Sequence, residues 1–201
     1  MTLGLRRSAK KIARGLARVA ILPLYLSYRF RRLFLDDRAF QTTSQIVSLL
    51  PGIVGTYLRV EFYRLTLPAC GKEIHIGFGT LFAGPWATIG EQAYIGSYCM
   101  IAHAHIGRDV LLGSNVHVGV GRHVHGTTAL DRPIRLQPGW SEMITIGSDT
   151  WIGNGAIVMA GVGRQCVIGA GSVVVKEVPD GMIAVGNPAR VLRERAAAEP
   201  E

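Results

Sequence analysis

Histidine is the residue type in this chain best suited to chemistry at neutral pH, and four of the six histidines occur in two closely spaced pairs. The pairs are His103-Ala-His105 and His123-Val-His125. A neutral imidazole can take a proton from a hydroxyl group, and it can also ligate a metal. A His-x-His pair on a strand points both rings to one side, which suits a metal, yet no third ligand at a familiar spacing follows either pair. The spacing therefore argues against a zinc site.

The cysteines give a weaker chemical signal than the histidines. There are three of them, an odd number, and none is spaced as Cys-x-x-Cys; they are Cys70, Cys99 and Cys166. This arrangement favours buried free thiols in a reducing compartment over a disulfide framework. A catalytic thiol remains the alternative.

A six-residue repeat indicates the elements that must position the histidines. Eleven aliphatic residues recur in groups spaced six apart, and eight of them are followed by glycine; they are Ile89, Ile95, Ile101, Ile106, Leu112, Val118, Ile146, Ile152, Val158, Ile168 and Val174. This interval is neither the period of a helix nor the alternation of a flat strand, and it is typical of parallel β-helices. We predict a left-handed parallel β-helix over residues 74–186, with about five coils of about 18 residues. The glycines are expected at close turns, often with positive φ.

The repeat stops completely in a loop over residues 120–143, which contains His123 and His125. A long segment inside a regular solenoid is usually functional. Two smaller irregularities occur, because five residues separate Ile101 from Ile106 and ten separate Val158 from Ile168. His103 and His105 lie in the first of these breaks, so an acceptor-site role is open to them beside a surface or interface role.

The positive charge of the chain belongs to its N-terminal region. The formal net charge is +8, and residues 1–38 hold ten Lys or Arg against two Asp or Glu. We predict that 1–38 is a basic amphipathic arm with a helix over 3–20. The apolar stretch 19–28 is shorter than the roughly 20 residues that span a bilayer, and no small-x-small cleavage site follows it. Interfacial membrane binding is therefore favoured over a partner-binding arm or a signal sequence. The remainder carries no net charge, which argues against nucleic-acid binding.

Helices are expected on both sides of the repeat. Residues 39–73 are predicted to form a helical cap of two short helices separated by Pro51-Gly52, which would cover the first coil and its open sheet edge. After the repeat, residues 187–201 are predicted to form a C-terminal helix and tail, opened by Pro188.

Three runs of the sequence resemble a known family. They are residues 146–162, residues 168–179 and the Val185-Gly-Asn-Pro-Ala-Arg190 segment. Together they resemble the C-terminal half of the hexapeptide-repeat acyltransferases, left-handed β-helix enzymes that use acetyl-CoA or a related thioester. The resemblance covers about residues 74–192, and its branch is that of the sugar and polysaccharide O-acetyltransferases. Residues 48–59 with 77–82 also resemble a subgroup linked to exopolysaccharide or capsule synthesis.

The resemblance implies a homotrimer with its active sites between neighbouring β-helices and a loop histidine as general base. His125 matches the family pattern better than His123, and both remain candidates. The resemblance also implies acetyl-CoA as acyl donor, with no permanently bound cofactor and no metal. The implied CoA contacts are Trp151, Asn154, Ala160, Gly161, Ala170, Lys176 and Arg190. Lys176 and Arg190 would meet the CoA phosphates, whereas Trp151 is expected to pack against the loop.

The expected activity is therefore acetyl transfer from acetyl-CoA to a sugar hydroxyl, directly and without a covalent acyl-enzyme. The acceptor would be a cell-envelope polysaccharide or its lipid-linked precursor. The enzyme is expected in the cytoplasm, peripherally bound to the inner face of the cytoplasmic membrane. The alternatives are an amino-sugar N-acetyltransferase and a non-catalytic or metal-binding β-helix protein.

Overall fold

Three helices precede a parallel β-helix in the computed structural model, which describes residues 3–119 and 124–196. The helices are α1 (Leu3–Leu35), α2 (Asp37–Ser48) and α3 (Gly52–Thr66). The first helix is longer than the sequence indicated, because it continues through Pro23 and includes the whole apolar stretch.

The β-helix is built from coils of three short strands each. The strands of the first two coils are β1 (Ala69–Cys70), β2 (His75–Ile76), β3 (Leu81–Phe82), β4 (Thr88–Ile89), β5 (Tyr94–Ile95) and β6 (Met100–Ile101). The third and fourth coils contain β7 (Ala104–Ile106), β8 (Leu111–Leu112), β9 (His117–Val118), β10 (Ile144–Ile146), β11 (Trp151–Ile152) and β12 (Ile157–Val158). The last part contains β13 (Val167–Ile168), β14 (Val173–Val174), β15 (Met182–Gly186) and β16 (Ala189–Glu194).

Stacking of the coils produces three parallel sheets, which form the three faces of a solenoid. Face 1 is β1-β4-β7-β10, face 2 is β2-β5-β8-β11-β13-β15, and face 3 is β3-β6-β9-β12-β14. This is the left-handed parallel β-helix expected from the sequence. It begins at Ala69, five residues before the predicted boundary.

The eleven repeating aliphatic residues form the inner ladder of this solenoid. Each pairs in register with a residue of a neighbouring coil, as Ile95 does with Leu112 and Ile152 with Ile168, and all are at most 3% exposed. The core assignment is therefore confirmed. The coils are less uniform than predicted: Ile76 and its partner Ile95 are 19 residues apart, whereas Ile152 and Ile168 are 16 apart.

The ten-residue interval between Val158 and Ile168 contains one further inward-facing residue, Val162. Val162 bridges to Ile146 on one side and to Val178 on the other, so it occupies face 1 of the fifth coil. Val162 lies four residues after Val158 and six before Ile168. The irregularity is therefore one tight corner, and the six-residue interval resumes immediately after it.

The glycines that follow the aliphatic residues are required by close approach between coils rather than by positive φ. A Cβ built at Gly90 would lie 2.5 Å from backbone atoms of the next coil. Of the eight glycines, only Gly119 has positive φ, at 85°. The left-handed residue of each turn comes two positions later, as at Gln92 and Asn115, so the expectation of positive φ was wrong for seven of the eight.

Helices α2 and α3 cover the open end of the first coil, as the sequence indicated. Arg59 of α3 is 1% exposed, and its Nε donates to the carbonyl of Ile76 at 3.0 Å while its Nη1 donates to that of Leu50. The backbone N–H of Phe82 donates to Ser44 Oγ of α2 at 3.2 Å. These bonds satisfy groups that an exposed coil end would leave without protein partners.

The predicted C-terminal helix is wrong. Residues 189–194 form β16, which runs antiparallel to β15 with Arg190 opposite Val185. The outer edge of β15 would otherwise present open backbone groups, and a returning strand pairs them whereas a helix would not. Pro188, which was expected to open the helix, instead lies in the turn between β15 and β16.

Candidate active site

The long loop leaves and rejoins the solenoid at one corner, where face 3 turns into face 1. We call this edge the loop corner; its described residues are 83–87, 102–103, 119, 124–143, 159–161 and 175–177. At the base of the loop, Gly119 N donates to Val158 O at 3.1 Å and Ile144 N donates to His103 O at 2.9 Å. The loop is thus anchored directly on the coil that carries His103.

Only one of the two loop histidines belongs to the described part of the chain. His125 is exposed, close to where the described part of the loop begins. His123 lies outside the described residues. The choice of His125 over His123 as general base therefore stays a prediction, and so does the role itself.

The other histidine pair is divided between two surfaces. His103 lies half-buried at the loop corner, whereas His105 points outward from face 1, with its Nδ1 2.6 Å from Thr88 Oγ1. His117 is half-buried on the outer side of face 3, next to the base of the loop. Within residues 3–119 and 124–196, no group of three or more His, Cys, Asp or Glu could hold a metal ion.

Trp86 forms an aromatic wall at the loop corner together with His103. The indole is 43% exposed, and its centroid lies 6.5 Å from the His103 ring in a T-shaped arrangement. A Cβ at residue 84 would lie 2.5 Å from the six-membered ring of Trp86, so the indole can occupy this position because residue 84 is glycine. Sequence reasoning missed Trp86; the available signal was the seven-residue interval from Phe82 to Ile89.

The described part of the loop has an internal structure of its own. The Gln137 side chain is buried; its Nε2 donates to the carbonyls of Ala129 and Arg132 at 2.7 and 3.2 Å, and its Oε1 accepts from Ala129 N. Large apolar side chains remain exposed around this core, namely Val124, Leu130, Ile134, Leu136, Trp140 and Met143. Clustered exposure of this kind is typical of a surface that contacts a ligand or another subunit.

The seven residues expected to contact CoA fall into four places. Asn154 and Ala170 lie at the corner between faces 2 and 3, immediately before β12 and β14, whereas Ala160, Gly161 and Lys176 lie at the loop corner, immediately after those strands. Five of the seven thus flank face 3. Trp151 points outward from face 2 and is 54% exposed, and Arg190 is on β16.

Asn154 has a structural contact that the sequence did not reveal. Its Oδ1 accepts a hydrogen bond from Ser114 N at 2.8 Å, which ties the fourth coil to the third. Lys176 and Arg190 are both exposed, so their cations are accessible to an anionic ligand. Asn154 therefore joins two adjacent coils through a hydrogen bond. The contacts of Lys176 and Arg190 with the CoA phosphates stay predictions.

The cysteines are free, and burial raises the pKa of all three thiols. Cys99 and Cys166 are buried, and their Sγ atoms donate to the carbonyls of Gly113 and Pro179 at 3.1 and 3.0 Å. The pKa of Cys70 is raised to about 12. Neutral, hydrogen-bonded thiols are poor nucleophiles, in agreement with the structural interpretation of these residues.

The three outer faces of the solenoid differ in polarity. Large apolar side chains project from face 2 at Tyr94, Leu111 and Trp151, which are 44–54% exposed. Face 3 projects Leu81, Met100, His117, Ile157 and Val173. Face 1 instead projects Ala69, Thr88, His105 and Thr145. Two of the faces thus have the composition of contact surfaces.

Comparison with known proteins gives matches over the repeat region. A family model described as the hexapeptide repeat of succinyl-transferase matches residues 143–176. Galactoside O-acetyltransferase of Lactococcus lactis is 31% identical over 126 residues, which are 62% of this chain and 54% of that protein. The Escherichia coli protein of the same name is 40% identical over 92 residues, 44% of this chain and 43% of that one. The chain spans about half the length of the curated relatives it matches.

Solved structures extend the likeness to most of the chain. A maltose O-acetyltransferase from Clostridium difficile 630 superposes with a TM-score of 0.69 at 25% identity, covering 81% of this chain and 88% of that one. A galactoside acetyltransferase in complex with coenzyme A gives a TM-score of 0.68 at 27% identity, covering 79% and 80%. These matches confirm the resemblance drawn from the sequence motifs.

Proposed function

We propose that this chain, a homologue of the hexapeptide-repeat acetyltransferases, transfers the acetyl group of acetyl-CoA to a sugar hydroxyl at the loop corner. The observation that carries the proposal is the convergence on one edge of the solenoid. The histidine-bearing loop, the Trp86–His103 wall and three of the seven expected CoA contacts all belong to that edge. The names of the similar proteins, two galactoside O-acetyltransferases and a structure that holds coenzyme A, support the same chemistry.

The proposed mechanism is direct transfer with an imidazole as general base. The sugar hydroxyl attacks the thioester carbonyl while its proton passes to His125, or to His123 if that residue is the base. The tetrahedral intermediate then collapses, the carbon–sulfur bond breaks, and CoA leaves as the thiol after taking the proton from the imidazolium. General-base catalysis of this kind contributes about 10²–10⁴ in rate. It leaves no covalent bond on the protein, so the poorly nucleophilic cysteines are not needed.

The acceptor is proposed to lie against Trp86. An exposed indole offers a flat apolar surface to the C–H face of a sugar ring, and His103 beside it offers ring nitrogens for hydrogen bonds to hydroxyls. Both residues are directly below the anchored base of the loop. A sugar stacked there would reach the loop histidines without entering the solenoid core.

CoA is proposed to lie along face 3, between two subunits of a homotrimer. Five of its expected contacts flank that face, and the sixth, Trp151, projects from face 2. Packing of the apolar face 3 of one subunit against the apolar face 2 of the next would bring both sets to one groove. Three such contacts close a ring, and polar face 1 then remains toward solvent.

Kinetics with substituted histidines test this proposal. Acetyl transfer from labelled acetyl-CoA to galactosides, maltose and an amino sugar is measured for His125→Ala, His123→Ala and the control His105→Ala, which alters an exposed ring beside Thr88 on polar face 1. We expect His125→Ala to lose about 10² or more in kcat with CoA binding retained, and the control to keep its activity. Loss only in His123→Ala would reassign the base. Full activity in both would contradict the mechanism, and transfer only to amino sugars would indicate N-acetylation.

A further inference from the structure

Helix α1 has two apolar faces, and only one of them is packed against the protein. Ala17, Ile21 and Tyr28 are buried against α2 and α3. The large apolar side chains on the other side of the helix are between 61% and 75% exposed; they are Ile12, Leu16, Val19, Leu26, Phe30, Leu33 and Phe34.

Helix geometry explains why packing cannot bury both sets. At about 100° per residue, Ala17, Ile21 and Tyr28 share one side of α1, and the seven exposed residues are grouped on the opposite side. From Ile12 to Phe34 the exposed stripe runs for roughly 33 Å at 1.5 Å per residue. A contiguous apolar stripe of that length marks a surface that contacts something else.

The exposed stripe is bordered by cations. Helix α1 contains nine Lys or Arg and no Asp or Glu. Lys10 and Arg14 turn toward the solenoid, where both pair with Glu73. Lys11, Arg18 and Arg29 are exposed and follow one edge of the stripe. An apolar strip with a basic border is the pattern of helices that lie in the interface of an anionic membrane.

The turn between α2 and α3 extends this apolar surface. Leu49, Ile53 and Val54 are between 65% and 72% exposed. Val54 and Leu16 line the same groove, together with Ala13 and Ala20. The exposed residues therefore belong to a platform of three packed helices, and not to a separate arm as the sequence suggested.

We infer that this platform docks on an anionic lipid bilayer, with α1 parallel to the membrane plane and its exposed stripe among the acyl chains. None of the helices in the described part of the chain is long and apolar enough to cross a membrane. A second copy of the chain fits less well, because a symmetric helix pair would bring Lys11, Arg18 and Arg29 close to the same cations without any acidic partner on α1. A bilayer containing phosphatidylglycerol supplies both the apolar interior and the anionic surface.

Docking would fix the distance between the membrane and the loop corner, since α2 and α3 are bonded to the first coil through Ser44 and Arg59. A fixed distance favours an acceptor that is itself held at the membrane, such as a lipid-linked sugar. This conclusion about the acceptor rests on the proposed acetyl transfer. Acetyl-CoA is a cytosolic metabolite, so the relevant surface would be the inner face of the cytoplasmic membrane.

Vesicle sedimentation with the full chain tests the inference without acetyl-CoA, so its result is independent of the proposed activity. Vesicles of phosphatidylcholine alone are compared with vesicles that also contain phosphatidylglycerol. We expect strong binding to the anionic vesicles only. Replacing Lys11, Arg18 and Arg29 together by Gln should lower the partition coefficient onto the anionic vesicles by about 100-fold. Each cation near an anionic surface contributes about 1 kcal/mol, and a 100-fold change equals about 2.8 kcal/mol at about 1.4 kcal/mol per tenfold.

The apolar stripe has its own variant and a matched control. Leu26→Glu with Phe30→Glu places two carboxylates in the stripe and should abolish binding, whereas Val191→Glu with Leu192→Glu places the same charges on exposed apolar residues of β16 and should leave it intact. Both proteins should elute at the wild-type volume. Binding that ignores phosphatidylglycerol, or survives the stripe variant, would overturn the inference. So would a larger wild-type assembly that the stripe variant splits, since the stripe would then pair two copies.

Discussion

Substitution of Gly147 by Ala tests the close approach of successive coils, on which the packing of the solenoid depends. A Cβ at this position would lie 2.4 Å from Arg164 N and 2.5 Å from Gly163 C, both backbone atoms of the next coil. The neighbouring backbone cannot retreat freely, because Gly147 N donates to Val162 O and Gly163 N to Val178 O, each at 2.8 Å. Gly147→Ala must therefore displace the coils or break these bonds.

The expected loss is worked from those two costs. Overpacking in a tight interior costs about 1–3 kcal/mol, and one weakened backbone hydrogen bond costs about 1 kcal/mol more. We therefore expect Gly147→Ala to lower the free energy of unfolding by about 2–4 kcal/mol. Two glycines without neighbours provide the comparison, since nothing lies within 4 Å of a Cβ at Gly15 or Gly155.

The two comparison variants separate steric contact from backbone conformation. Gly15→Ala removes a glycine from the interior of α1 and should stabilise by about 0.5–1 kcal/mol. Gly155 has φ +69°, so Gly155→Ala should cost about 1–2 kcal/mol through strain alone. Guanidinium unfolding followed by circular dichroism, at one protein concentration, gives the three midpoints. If Gly147→Ala is no less stable than Gly155→Ala, the coils are not in the close contact described.

Three further outcomes follow from buried groups. Arg59→Met leaves the carbonyls of Leu50 and Ile76 without their donor, so it should lower stability by about 2–4 kcal/mol in the same assay, and an unchanged midpoint would contradict the capping role. Burial, together with the nearby Arg59 charge, lowers the pKa of His75 below its ordinary 6.5. The unfolded chain then binds the proton first, so wild-type stability should fall relative to His75→Phe as pH drops below about 6.5, and parallel pH profiles would refute this. Cys99 should resist iodoacetamide at neutral pH until the protein unfolds, as mass spectrometry would show, because burial raises its pKa.

The repeat made most of the fold predictable. An inward side chain such as Ile152 must be aliphatic in every coil, and this requirement produces a periodic signal that no surface preference obscures. The helices around Pro51-Gly52 were predictable for a similar reason, because the turn residues separate two apolar runs. The six-residue period did not identify Val162 and Val178 as inward-facing residues. Each follows the preceding inward residue by four positions at a tight corner, where the period is broken.

Other features depended on partners that are distant in sequence. Strand β16 forms because β15 presents an open edge, which no local propensity encodes. Trp86 meets His103, which is one coil later, in a T-shaped contact that no local sequence pattern encodes. Helix α1 carries two apolar faces, and the sequence alone could not show which of them would pack on α2 and α3.

The candidate site was predictable only as a region. The break at residues 120–143 located the loop correctly, because an interruption of the ladder must leave the solenoid and return to it. Five of the seven residues expected to contact CoA border face 3, and one of these, Asn154, also joins two coils by accepting a hydrogen bond from Ser114 N. Which loop histidine acts depends on positions that no periodicity constrains.

The most direct test of the central claim is to identify the bond formed in the acetylated product. Wild-type protein is incubated with acetyl-CoA labelled in the acetyl group and, in separate reactions, with a galactoside, maltose, an amino sugar or a lipid-linked sugar. Each product is analysed by mass spectrometry before and after treatment with hydroxylamine. Acetyl transfer to a sugar hydroxyl predicts a labelled sugar ester that hydroxylamine removes, formed by wild type and strongly reduced in the variant of the catalytic histidine. A hydroxylamine-resistant amide on an amino sugar, or no labelled sugar with any acceptor including lipid-linked ones, would contradict it.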